Sequence, residues 1–302
     1  MLLQGFLALS QGTHRVIYLL LSPYQQRQGS KMLYKIIKYP FFGKFMVKWK
    51  NPLSKDERKQ WEKISVKSKS GGIIHGLFAK SKTNEEKATV VLGHPMGKEA
   101  KGYFLKRGYT DLLRNNGFNV VVFDINGFGE STHGSFSYFE DIIAIGIKAK
   151  ELTPKLPIAY HGISLGASWA TISFADEAHV YDFAIIESAS TSLLEFWVLF
   201  PVAFRTLQVI NAIMPNYRKK VEMIERIKEA KHLQSLLFIY SERDRWTPLD
   251  MGNKFKQNSS VPAELWIVDK ARHAEIMKSP NKEVYKEKII SYLNQEVSKM
   301  KG

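Results

Sequence analysis

A serine with one glycine two residues before it and another two after it closes a short apolar run, Ile158-Ala159-Tyr160-His161-Gly162-Ile163-Ser164-Leu165-Gly166. The spacing suits a strand that turns sharply into a helix, because the turn residue is held in a strained backbone conformation and flanking glycines remove side chains that would collide there. The serine oxygen is left exposed. A neutral hydroxyl is a weak nucleophile, so acyl chemistry at Ser164 needs a histidine to take its proton and a carboxylate to orient that histidine. In a largely parallel sheet both partners belong on loops at the carboxyl ends of later strands. His273, in Asp269-Lys270-Ala271-Arg272-His273-Ala274, is the histidine that fits. His133 and His161 precede the serine and are expected to be structural or pocket-lining. Asp244, in Tyr240-Ser241-Glu242-Arg243-Asp244-Arg245-Trp246-Thr247-Pro248, is the expected acid. Glu187 is its rival, since it also sits at a strand end, while Glu242 and Asp250 read as solvated charges. The oxyanion of a tetrahedral intermediate needs two donors already in place. One is the Leu165 amide. The other should come from Gly93-His94-Pro95-Met96-Gly97, where Pro95 has no N–H, so Met96 is expected and Gly97 is the alternative.

These residues need a framework, and the hydrophobic pattern supplies one. Ile64 to Lys80 reads as two strands joined by Ser70-Gly71-Gly72. The continuous run Ala88 to Leu92 suits a strand buried on both faces. Then follow a helix over Gly102–Asn116, a strand at Asn119–Phe123, a helix at Phe139–Leu152 and the Ile158 strand. Beyond the serine come a helix to Phe174, a strand at Asp182–Ile186, and last strands at Leu236–Tyr240 and Leu265–Val268 with a helix from Pro248 to Gln257 between them. Asn281–Asn294 closes the chain as a helix. Alternation of this kind predicts an α/β fold, a mostly parallel doubly wound sheet opened by an antiparallel hairpin. Thr191 to Pro215 breaks the alternation with an apolar run carrying only Glu195 and Arg205 as charges, and a helical cap over the sheet is expected at about 191–232. Such a cap would close an apolar pocket above the serine.

The 302 residues are 44% hydrophobic, enough for a sizeable core. The absence of cysteine excludes disulfides, thiolate metal sites and cysteine nucleophiles. The net charge of +15 is unevenly placed: residues 1–55 hold nine lysines and arginines and no acidic residue. Two units are therefore expected, a basic amphipathic leader over 1–60 and a catalytic domain over 61–302. Met1 to Leu21 is too interrupted by Gln4, Gln11, His14 and Arg15 for a spanning helix and lacks the charged start of a secretory signal. Between Lys31 and Tyr39, Lys31, Lys35 and Lys38 share one helical face and Leu33, Ile36 and Ile37 another, with Pro40 ending the pattern. Either the leader packs its apolar face on the domain and keeps its lysines in water, or it lies on an anionic membrane surface. No nucleic-acid motif accompanies the charge. The expected location is cytoplasmic, with peripheral membrane contact as the second reading.

Taken in order, the Gly93–Gly97 loop, the turn Phe123-Asp124-Ile125-Asn126-Gly127-Phe128-Gly129-Glu130-Ser131, the serine turn, the loop from Asp244 to Pro248 and His273 resemble the α/β-hydrolase family of serine hydrolases over about Ile64 to Leu293. The resemblance implies a hydrolytic cycle through an acyl-serine carried by Ser164, Asp244 and His273. Two positions depart from it: Pro95 replaces the usual glycine after the histidine, and Asn126 stands where arginine is common. A serine at 164 argues against members that form an alkyl-ester on aspartate, such as haloalkane dehalogenases. No cofactor is expected and no metal constellation is visible. The expected activity is hydrolysis of carboxylic esters of apolar acyl substrates, as a carboxylesterase or lipase-like enzyme. The alternatives are a thioesterase or acyl-peptide hydrolase with the same residues, and a non-catalytic membrane-surface or acyl-binding module.

Overall fold

The computed structural model of the chain describes the backbone of residues 23–213 and 215–301, and side chains over 32–213 and 217–301. The expectations for Met1 to Leu21 concern residues outside that range.

The element order is α1 (Pro23–Phe42), α2 (Lys55–Arg58), β1 (Glu62–Lys67), β2 (Ile73–Ala79), β3 (Ala88–Gly93), α3 (Gly102–Lys106), α4 (Tyr109–Asn115), β4 (Phe118–Phe123), α5 (Tyr138–Leu152), β5 (Ile158–Ile163), α6 (Leu165–Ser173) and β6 (Phe183–Glu187). It continues with α7 (Leu193–Trp197), α8 (Pro201–Ile213), α9 (Pro215–Lys220), α10 (Met223–Arg226), β7 (Ser235–Ser241), α11 (Leu249–Asn258), β8 (Ala263–Val268) and α12 (Lys282–Lys301). The eight strands form one sheet in the order β1-β2-β4-β3-β5-β6-β7-β8. β1 pairs antiparallel with β2 and β2 with β4, and all remaining pairs are parallel. β3 to β7 are buried along their whole length, which explains their largely apolar runs: both faces are covered. On one face α5, α6 and α11 contribute Ile142, Trp169 and Phe255 to the core; on the other α3, α4 and α12 contribute Phe104, Leu113 and Ile289.

The single helix expected over 102–116 is two, divided at Gly108, whose φ of +77° ends α3 and lets the chain turn into α4. Within the expected cap, Leu193–Trp197 and Pro201–Ile213 are helical, as α7 and α8, and Phe200 between them stacks on Trp246 at 5.0 Å.

The leader departs from the first of its two readings, the one that packs the apolar face on the domain, in which side it turns inward. Pro40 does not stop α1, which runs on to Phe42. Phe41 and Phe42 are held by burial against Trp197, Phe128 and Tyr138, at 5.4 to 5.8 Å between rings. Leu33, Ile36 and Ile37 are exposed, against the reading that packs them on the domain, and Lys38, which that reading keeps in water, is fully buried. Its ammonium donates to Asn126 Oδ1 and lies 4.4 Å from the Tyr138 ring centre. Asn126 in turn donates to Asp141 Oδ2 at 2.6 Å, and Ser70 to Asp141 Oδ1 at 2.6 Å. The side of α1 turned to the domain is thus the one that carries Lys38, Phe41 and Phe42, and not the aliphatic stripe. No described helix is long and apolar enough to cross a membrane.

Candidate active site

Ser164 stands between β5 and α6 at φ +53°, ψ −109°, a conformation that non-glycine residues rarely adopt. Its neighbours hold it there. The Ser164 N–H donates to Glu187 O at 2.9 Å, and the Gly166 N–H to His94 O at 3.1 Å. The two glycines are required by contact: a Cβ on Gly162 would lie 2.8 Å from the Ala167 backbone, and one on Gly166 2.3 Å from the Gly93 carbonyl oxygen. The serine turn and the loop after β3 are thus pressed together, backbone on backbone.

His273 Nε2 is 2.7 Å from Ser164 Oγ, and His273 Nδ1 is 2.7 Å from Asp244 Oδ2. Asp244 also accepts the Thr247 hydroxyl at 2.7 Å and the amides of Trp246 and Thr247 at 2.9 and 3.1 Å. Burial alone would raise its pKa. The hydrogen bond and charge of His273, with both Thr247 donors, more than offset that and hold the carboxyl below the ordinary aspartate range. The loop carrying His273 is fastened by the Ser241 hydroxyl on Ala271 O and the Tyr103 hydroxyl on Ala274 O, both at 2.6 Å. Ser241, Thr247 and Tyr103 were not visible as site residues in the sequence. Thr247, three residues past Asp244, carried a signal in its turn-forming spacing; Tyr103 carried none.

Glu187 does not reach His273. Its carboxylate takes the Tyr285 hydroxyl and lies 3.7 Å from His161 Nε2, in a buried group that Tyr109 joins through Tyr285 at 3.3 Å. His161 therefore has a place inside the fold. His133 lies beside Gly127, where burial, then the charges of Lys38 and Lys35, lower its pKa. His94 is buried and kept neutral-leaning by that burial, with Nδ1 toward Pro95 O at 2.9 Å and Nε2 accepting from the Ile125 amide at 3.1 Å.

With the Ser164 and Gly166 amides engaged, the Leu165 N–H is left as the first free donor of α6. Among the described residues neither it nor the Met96 N–H has an acceptor. Met96, Leu165 and Ser164 border one small chamber of about 30 Å³. Outward, Ser164 and His273 open into a cleft of about 400 Å³ walled by Met96, Phe196, Phe200 and Trp246. Inward, Phe42, Trp169, Leu193 and Trp197 line both the chamber and an adjoining apolar cavity of about 470 Å³ bordered by α1, α7 and α8. No cluster of described side chains has the make-up of a metal site.

Residues 84–245, more than half of the chain, match the family described as Serine aminopeptidase, S33. The chain belongs to this family of α/β hydrolases. A search of curated protein sequences finds no match. Among solved structures it is similar to an esterase of Pyrococcus furiosus, at 18% identity and a TM-score of 0.63, over 83% of this chain and 97% of that one. It is also similar to the acylaminoacyl peptidase of Pyrococcus horikoshii, at 16% identity and a TM-score of 0.59, over 78% of this chain and 41% of that one. Est1E of Butyrivibrio proteoclasticus shares 14% identity at a TM-score of 0.59, over 78% and 99%. At these identities the likeness is one of fold.

Proposed function

We propose that this hydrolase cleaves carboxylic esters whose acyl part is an apolar chain, through an acyl-Ser164 intermediate. The observation that carries the reading is the continuous hydrogen-bonded line from Asp244 through His273 to Ser164, at 2.7 Å for each step. His273 Nε2 takes the Ser164 proton as Oγ attacks the ester carbonyl carbon, and Asp244 stabilises the imidazolium that results. The amides of Leu165 and Met96 receive the oxyanion. Collapse breaks the acyl–oxygen bond, His273 hands its proton to the departing alkoxide, and a water activated by the same histidine frees the acid. The apolar cavity behind Trp169 and Trp197 is where the acyl chain would lie.

A thioester is the second reading, favoured by Lys44 and Lys98 on the rim of the outer cleft, which suit an anionic leaving group. Both readings share one test. Ser164→Ala should abolish turnover of activated acyl esters and labelling by a fluorophosphonate, and labelling at the unsubstituted level would sink the assignment. Matched oxygen esters, thioesters and acyl peptides of increasing chain length then separate the readings.

A further inference from the structure

The outward faces of α1 and α8 are apolar where a water-facing helix is ordinarily polar. On α1, Met32, Ile36 and Tyr39, four and three residues apart, are 69%, 60% and 69% exposed, while Lys38 of the same helix is wholly buried. On α8, Val202, Val209 and Ile213 are 73%, 58% and 65% exposed, although Ala203 and Leu207 already bury the helix's other side. The two helices pack together, and Tyr39 and Val202 flank a shared apolar hollow of about 410 Å³. The charges on the two helices are of one sign: neither contains an acidic residue, and Lys35 and Arg205 stand among the exposed aliphatic side chains.

We infer that this face docks on an anionic phospholipid surface, with the aliphatic side chains entering the headgroup boundary and the basic ones meeting lipid phosphates. A second copy of the chain is a poor occupant, because two such faces would bring their basic residues together with no acid between them. The hollow between Tyr39 and Val202 shares Met96, Trp197 and Phe200 with the spaces beside Ser164, so an apolar substrate could pass from the lipid to the serine under cover. The docking stands apart from the hydrolytic reading and is tested apart from it.

The test is flotation of the full chain with phosphatidylcholine vesicles, with and without about 30% phosphatidylglycerol. Binding is expected to the anionic vesicles alone. Lys35→Gln and Arg205→Gln should each weaken it about fivefold. Ile36→Asp with Val209→Asp should weaken it by about tenfold or more. Turnover of a short, water-soluble ester, unchanged in every variant, shows that the fold is intact. The inference is overturned if the chain binds neither vesicle, or if the double aspartate variant floats as well as the unsubstituted chain. It is equally overturned if deleting residues 1–22 abolishes binding that the double variant retains. A dimer in solution that the double variant dissociates, without vesicle binding, would assign the face to a second copy instead.

Discussion

Lys38→Met should remove a pH dependence of stability that the buried lysine imposes. Burial lowers the Lys38 pKa from 10.5 to about 7, and the charge of Asp141 only partly opposes this. The groups around it are Asp141 on α5, itself pushed up by burial, His133, and the rings of Tyr138 and Phe136. The folded pKa lies below the unfolded one, so below about pH 7 both states hold the proton, and above it the unfolded chain holds a proton that the folded chain has lost. Stability therefore rises with pH across that window. At about 1.4 kcal/mol per pH unit, the rise between pH 7 and pH 9.5 is about 3 kcal/mol. Stopping at pH 9.5 avoids the buried tyrosines, such as Tyr103 and Tyr217, whose pKa values burial raises and which destabilise the fold once unfolded tyrosines begin to ionise. Urea unfolding followed by tryptophan fluorescence, on both proteins at both pH values, gives the difference directly. Methionine carries no charge and fills a similar space, so the variant's curve should be the flatter by that amount. His133, freed of one repelling charge, should titrate higher in the variant. Equal pH slopes for the two proteins would refute the buried placement of Lys38.

Asp244→Asn keeps the shape of the acid but not its charge, and kcat should fall by roughly a thousandfold or more with little change in KM, read by steady-state turnover of an activated ester. Gly166→Ala would drive a Cβ against the Gly93 carbonyl oxygen, a contact that no side-chain rotation relieves. It should destabilise the chain by about 1 to 3 kcal/mol by urea unfolding and lower kcat by displacing the two loops that flank Ser164.

Periodicity and chain order made the sheet legible in the sequence, because buried parallel strands must be apolar throughout and the serine turn must be relieved by glycine on both sides. Gly162 and Gly166 meet that demand through contacts with Ala167 and Gly93, and the first of these is local enough to be read from spacing alone. The candidate triad was legible for a related reason: with the strands placed in order, few histidines and carboxylates remain at carboxyl ends. What spacing could not decide was direction. Glu187 and Asp244 both stand at strand ends, and the Glu187 carboxylate is taken up by the hydroxyl of Tyr285, 98 positions further on, and lies beside His161. The leader gives the same lesson more sharply. A helical wheel finds two faces on α1, and burying the apolar one is the default because transfer of an aliphatic side chain from water is favourable by about 1.5 to 3 kcal/mol. That default assumes a featureless apolar partner. Here the partner presents Asn126 and Asp141 on segments 88 or more residues away. Asn126 takes the Lys38 amino group, Phe41 and Phe42 of the same helix are buried beside it, and Ile36 faces outward.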